Sequence, residues 1–133
     1  GTVAALEVGR PMIFPRKETK GHGAGNAIEG RYRAGQTAVV LDDLISSGLS
    51  KREAIAPLEA AGLAVRDIVV LVDRRRPGPD DLAASGYTLH AAFRLADLAA
   101  DLADAGRIDD EAARRVAAYL EGGAPAVSPN PGA

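Results

Sequence analysis

Cysteine and tryptophan are missing from this 133-residue chain, and histidine occurs only at His22 and His90. Without cysteine there is no disulfide framework, no thiolate metal site and no thiol nucleophile, and the histidines are too few for a zinc enzyme of the usual kind. A basic excess is missing as well: 16 Lys and Arg stand against 18 Asp and Glu, a net charge of −2. A protein that grips nucleic acid regardless of sequence needs the opposite balance, so no nucleic-acid partner is expected. No apolar run approaches the ~20 residues of a membrane-spanning helix. Nor does a secretory pattern of basic head, apolar stretch and small-residue cleavage site occur. The expectation is a soluble, cytoplasmic, single-domain chain without a membrane partner.

Both ends depart from an ordinary domain. The chain opens Gly1-Thr2-Val3-Ala4-Ala5-Leu6, without Met, in a stretch that reads as a helix ended by Gly9, so it is expected to start partway through a longer protein. At the far end Gly122, Gly123, Pro125, Pro129 and Pro131 punctuate a run without periodicity. Residues 122–133 are therefore expected to form a flexible tail, leaving residues 1–121 as the core.

Between the ends, Val39-Val40-Leu41 and Ile68-Val69-Val70-Leu71-Val72 are short β-branched runs with the pattern of parallel strands buried on both faces, ending in Asp42 and Asp73. Ala54, Ile55, Leu58 and Ala61 fall at helical spacing between them, with Gly62 as the stop signal, which makes a strand–helix–strand unit. Ser50 and Glu53 have the spacing of a capping box, and Pro57 is expected to kink the helix. Pro11-Met12-Ile13-Phe14 reads as a further strand. A short helix is predicted over 79–85, a strand over 87–93, a helix on Leu95, Leu98 and Leu102 closed by Gly106, and a last helix capped by Asp109 or Asp110. The alternation predicts an α/β fold, an open and mainly parallel sheet flanked by helices, with ligands at the carboxyl ends of the strands.

The chemistry concentrates in Asp42-Asp43-Leu44-Ile45-Ser46-Ser47-Gly48-Leu49-Ser50. A strand delivers two carboxylates, then a small-residue turn, then a helix start. Backbone N–H groups over 46–50, the helix dipole and three serine hydroxyls converge on a position suited to a phosphate. The carboxylates cannot hold a phosphate, but they can accept from ribose hydroxyls or act through Mg²⁺, so the pattern calls for a phosphorylated sugar. Two other readings remain at this point. The acids can simply cap a turn, or, with Asp73 after the later strand, belong to a phosphoacceptor receiver domain, which leaves Ser46, Ser47 and Ser50 unused.

A second concentration lies upstream in Arg16-Lys17-Glu18-Thr19-Lys20-Gly21-His22-Gly23. Three cations and one acid give a local +2 on a chain of −2, positive charge concentrated in a segment whose glycines allow a lid to close. A solvated basic loop is the plainer alternative. Downstream, Arg75 and Arg76 are expected to be solvated, Asp97, Asp101 and Asp104 to form a solvated helix face, and His90 to be structural.

The residues over 42–50 resemble the phosphoribosyl pyrophosphate (PRPP) signature of the type I phosphoribosyltransferases, and those over 16–23 resemble the catalytic loop of the orotate phosphoribosyltransferases. Ile28-Glu29-Gly30 and Val70-Leu71-Val72-Asp73-Arg74 extend the likeness to roughly residues 1–120. The resemblance implies a Rossmann-like core and a reaction that joins orotate to PRPP, giving orotidine 5′-monophosphate and pyrophosphate with Mg²⁺ bound to the sugar pyrophosphate. It implies that Asp42 and Asp43 hold the ribose and stabilise its growing positive charge, either one reaching Mg²⁺ only through water. Leu44 and Ile45 are counted with them among the PRPP-binding residues, and Ser46, Ser47, Gly48, Leu49 and Ser50 grip the 5′-phosphate. Ser46 and Arg74 would contact orotate, a carboxylate suiting the guanidinium fork of Arg74. Arg16, Lys17, Lys20 and His22 would bind pyrophosphate, with Lys20 catalytic and part of the loop reaching the neighbouring site of a homodimer.

The resemblance has gaps. The amino-terminal hood and a pyrophosphate loop of such enzymes have no counterpart here, so the chain alone is expected to be weakly active or inactive. Leu49 is bulkier than the usual cradle residue, although its backbone N–H can still donate. A non-catalytic PRPP-binding regulator, or transfer to another base, are the alternatives. The Pro-rich end is compatible with fusion to an orotidine monophosphate decarboxylase.

Overall fold

The computed structural model describes residues 1–15, 28–79 and 81–122. Its elements in chain order are α1 (Thr2–Glu7), β1 (Phe14–Pro15), β2 (Ile28–Glu29), β3 (Thr37–Ile45), α2 (Gly48–Ala60), β4 (Ala64–Asp73), α3 (Asp81–Ala84), β5 (Thr88–Arg94), α4 (Leu95–Asp104) and α5 (Asp110–Leu120). Strands β3, β4 and β5 form a parallel sheet in that order, and β1 pairs with β2 in a separate antiparallel ribbon. The expected α/β architecture is present, and every connection in the parallel sheet passes through a helix, as parallel strands require.

The core is the junction of α2 with the sheet. Ile55 and Leu58 of α2 meet Ile68 and Val70 of β4, together with Ile45, Leu63, Val65, Leu82 and Ile28. Helix α2 stops where the sequence predicts. Gly62 takes φ +82, its N–H donates to the Glu59 carbonyl at 2.9 Å, and the Leu63 N–H donates to the Leu58 carbonyl at 3.1 Å. This closing turn sets the buried Leu63 against Leu58 and feeds directly into β4. The helix continues through Pro57 to Ala60. At the last helix the expected cap is made, the Asp109 carboxylate accepting from the Ala112 N–H at 2.7 Å.

Several local expectations are corrected. The strands are not buried on both faces: α2 covers the face carrying Ile68 and Val70, while Val39, Leu41 and Leu71 on the other face remain about half exposed among the described residues. β-Branched composition reports a strand's capacity to be buried, not what covers it. Among the described residues, pairing near the amino end joins Phe14–Pro15 to Ile28–Glu29, and the expected strand over 11–14 is in the ladder only at Phe14. The Ser50–Glu53 capping box does not form. Helix α2 begins at Gly48 with the extended Ser47 as its boundary residue, so Ser50 already lies in the first turn.

Among the described residues no helix is long and apolar enough to cross a membrane.

Candidate functional site

Strand β3 continues past the two acids to Ile45, so Asp42 and Asp43 stand near its carboxyl end rather than beyond it. Successive strand side chains leave opposite faces. Asp42 lies on the face covered by α2, where the Lys51 ammonium donates to Asp42 Oδ2, and Oδ1 accepts the Asp43 N–H at 2.9 Å. The Lys51 ammonium holds the Asp42 carboxyl below the usual carboxylate range, outweighing the upward push of burial. Asp43 accepts the Leu44 N–H on Oδ1 at 2.8 Å. The acid pair is thus one paired carboxylate and one turned to the open face.

Lys51 is absent from the residues singled out by sequence. Its side chain is only 8% exposed, against 44% for Asp42. A signal was present: Lys51, Ile55 and Leu58 are four and three residues apart and are the buried residues of α2, so the lysine occupies the apolar stripe.

The turn after β3 leads straight into the helix. Ser46 and Ser47 link Ile45 to Gly48, and no side chain caps α2. The first-turn N–H groups of a helix have no intrahelical acceptor. Those of Gly48, Leu49 and Ser50 therefore face outward with the positive end of the helix dipole, an arrangement that accepts an anion. Ile45 is 1% exposed and anchors the turn in the core, its carbonyl accepting the Arg74 N–H at 2.7 Å. Leu44 is half-buried, and the side chain of Leu49 is exposed.

That Arg74–Ile45 bond brings the end of β4 beside the turn. A cleft of about 530 Å³ opens there, at the carboxyl ends of β3, β4 and β5, lined by Ser46, Ser47, Gly48, Arg75, Arg76 and Arg94 among others. Arg75 corrects the expectation of a solvated side chain: its Nη2 and Nε donate to the Asp73 carboxylate at 2.9 and 3.0 Å. Burial pushes the Asp73 carboxyl up, but these bonds outweigh it and hold the group below its ordinary value. Arg74 and Arg76 both lie over the Tyr119 ring of α5, at 5.4 and 5.1 Å. Arg76 remains exposed, as expected. The Arg74 guanidinium thus rests on α5, while Arg75 and Arg76 line the cleft. Tyr119 carried no sequence signal, since an aromatic near a helix end is ordinary core material.

Arg16, Lys17, Lys20 and His22 lie outside the described residues, as does the tail beyond Gly122. His90 sits on β5 with Nε2 2.8 Å from Asp67 Oδ1 on β4, and Asp97, Asp101 and Asp104 are exposed. Among the described residues no group of three or more acids and histidines could hold a metal by itself. The two carboxylates of β3 suit Mg²⁺ only if a ligand's phosphate oxygens and water complete the shell, which is how Mg²⁺ commonly binds.

No protein-family profile matches the chain. It is 46% identical over 110 residues to the bifunctional enzyme PyrF/PyrE of Nostoc sp., a match spanning 83% of this chain and 23% of that protein. It is 36% identical to the orotate phosphoribosyltransferase of Cenarchaeum symbiosum, over 84% of this chain and 56% of the relative. The structure of Leishmania donovani UMP synthase superposes with a TM-score of 0.77 at 37% identity, covering 90% of this chain and 26% of that one. The chain therefore spans between about a quarter and somewhat over half the length of these relatives.

Proposed function

The chain is homologous, over 110 of its residues, to part of the orotate phosphoribosyltransferases, and from that premise we propose that it is the PRPP-binding core of an enzyme transferring phosphoribosyl to orotate. The products would be orotidine 5′-monophosphate and pyrophosphate, a step in making pyrimidine nucleotides. The observation that carries this reading is the junction of β3 and α2: two acids, a serine turn and an uncapped helix start in one continuous segment. An uncapped amino terminus leaves donors for a 5′-phosphate, and acids beside it accept from ribose hydroxyls. As the bond to pyrophosphate breaks and the bond to the base forms, positive charge grows on the ribose, and Asp42 and Asp43 lie where they would stabilise it.

Ser46, Ser47, Gly48, Leu49 and Ser50 take the 5′-phosphate, with Ser46 also touching the base. Arg74, stacked on Tyr119, is the partner for the orotate carboxylate; Arg16, Lys17, Lys20 and His22 take the pyrophosphate. Asp42 or Asp43 would reach, through water, a Mg²⁺ ion carried mainly by PRPP, which would supply charge neutralisation of the leaving group. A homodimer is part of the proposal, as is a place beside an orotidine monophosphate decarboxylase, which the bifunctional relative supports.

The test is calorimetric titration of the chain with PRPP, with and without Mg²⁺, followed by a spectrophotometric assay of orotate consumption. Saturable binding strengthened by Mg²⁺ together with orotate consumption supports the reading. Binding without turnover is the result expected of a chain that spans only part of its relatives; binding without turnover in the full-length protein reduces the reading to a PRPP-binding module, and a folded chain that ignores PRPP overturns it.

A further inference from the structure

Lysine is among the side chains least often buried, and placing its ammonium under a helix carries a desolvation penalty that its ion pair has to offset. Lys51 nonetheless occupies the apolar stripe of α2 beside Ile55 and Leu58, with its ammonium on Asp42. Stability does not call for an ion pair there, because apolar residues of similar volume in place of both members of a buried pair are often neutral or favourable. Among the described residues the group the ammonium serves is a carboxylate at the proposed ribose site.

Two consequences follow for Asp42. First, both of its oxygens hold a protein donor, Lys51 on Oδ2 and the Asp43 N–H on Oδ1, so the carboxylate has a fixed orientation. Each carboxylate oxygen still has a second lone pair, and Asp42 is 44% exposed, so acceptor capacity remains for a ligand hydroxyl. Second, Asp42 and Asp43 stand immediately before a turn suited to phosphate. Two uncompensated carboxylates would repel an anionic sugar phosphate, and Lys51, in the first turn of α2, cancels one of them from behind.

We propose that Lys51 is a positioning residue for ribose recognition, fixing the Asp42 carboxylate as an acceptor and balancing its charge against the phosphates of the incoming ligand. This rests on the phosphoribosyl reading above. Lys51 acts through Asp42 and does not itself touch the sugar.

The experiment is a double-mutant cycle on the full 133-residue chain, with PRPP·Mg²⁺ as titrant and melting temperature followed in parallel. Lys51→Met is expected to weaken PRPP binding by roughly tenfold or more, the range for loss of a charge-assisted contact. Lys51→Arg, which keeps the charge, should recover most of that loss. In the Asp42→Asn background, Lys51→Met should cost little more, because the group it orients has lost its charge. A purely structural ion pair would instead lower binding only in step with melting temperature, with the same coupling to Asp42→Asn in both quantities, and that result overturns the proposal. Should Lys51→Met fail to fold, Lys51→Gln takes its place in the cycle with the same expectations. Binding by wild type with no loss in these variants also overturns it while leaving the phosphoribosyl reading intact; no binding by a folded wild type overturns both.

Discussion

The guanidinium of Arg74 lies 5.4 Å from the centre of the Tyr119 ring, which ties the loop after the middle strand to the last helix. Arg76 shares the same ring at 5.1 Å. A residue proposed to meet a substrate carboxylate is thereby held by a helix that sequence reading treats as packing alone.

Tyr119→Ala should release Arg74 and Arg76 and destabilise the chain by about 1–2 kcal/mol, combining lost packing with two cation–π contacts. Tyr119→Phe keeps the ring and should stay close to wild type. If the orotate assay detects turnover, Tyr119→Ala should raise KM for orotate while leaving PRPP affinity nearly unchanged. Equal losses for both ligands would place Arg74 outside the base site.

Lys20→Ala, in a chain that turns over, should lower kcat far more than PRPP affinity, since a cation over the leaving group acts mainly in the transition state. Single-turnover kinetics beside equilibrium binding separate the two quantities. Matching losses would indicate plain binding by the basic segment.

Ile55→Ala removes a side chain that is 0% exposed between α2 and the sheet. A loss of about 2–5 kcal/mol is expected in urea unfolding, from transfer and cavity terms together. Because α2 also carries Lys51 and the helix start, PRPP affinity should fall with it in the residual folded population.

The Asp73–Arg75 pair gives the fold an acid-sensitive component. The Asp73 carboxyl titrates lower in the folded chain than in the unfolded one, despite burial, because Arg75 bonds the ionised form. Its contribution is therefore complete above the unfolded value, about 3.9, and disappears as pH falls through the lower folded value. Arg75→Met should cost about 1–2 kcal/mol near neutrality, with the difference from wild type shrinking below about pH 4. Paired thermal melts across pH 2 to 7 measure this directly.

Much of this was written in local sequence. Two β-branched runs and an amphipathic stretch between them specify β3, α2 and β4, because period and propensity act over a few residues. Gly62 closes α2 and Asp109 opens α5 for equally local reasons, one a positive φ and the other a single side-chain acceptor. The order of acids, serine turn and helix start over 42–50 was likewise legible, and it is the observation on which the proposed phosphate site rests.

The tertiary structure decided the rest. The spacing of Lys51 from Ile55 and Leu58 puts it on the apolar stripe, but only the docking of α2 on β3 sets its ammonium on Asp42. Arg75 reads, with Arg76, as a solvated cation until the bend after β4 folds it back onto Asp73. Val39, Leu41 and Leu71 read as buried, yet whether a strand face is covered depends on elements far away in sequence. Secondary structure and the start of α2 after a serine turn follow from short-range patterns, so the sequence by itself determined them. The pairing of individual charges is set by distances between chain segments that meet only on folding, which no run of adjacent residues encodes.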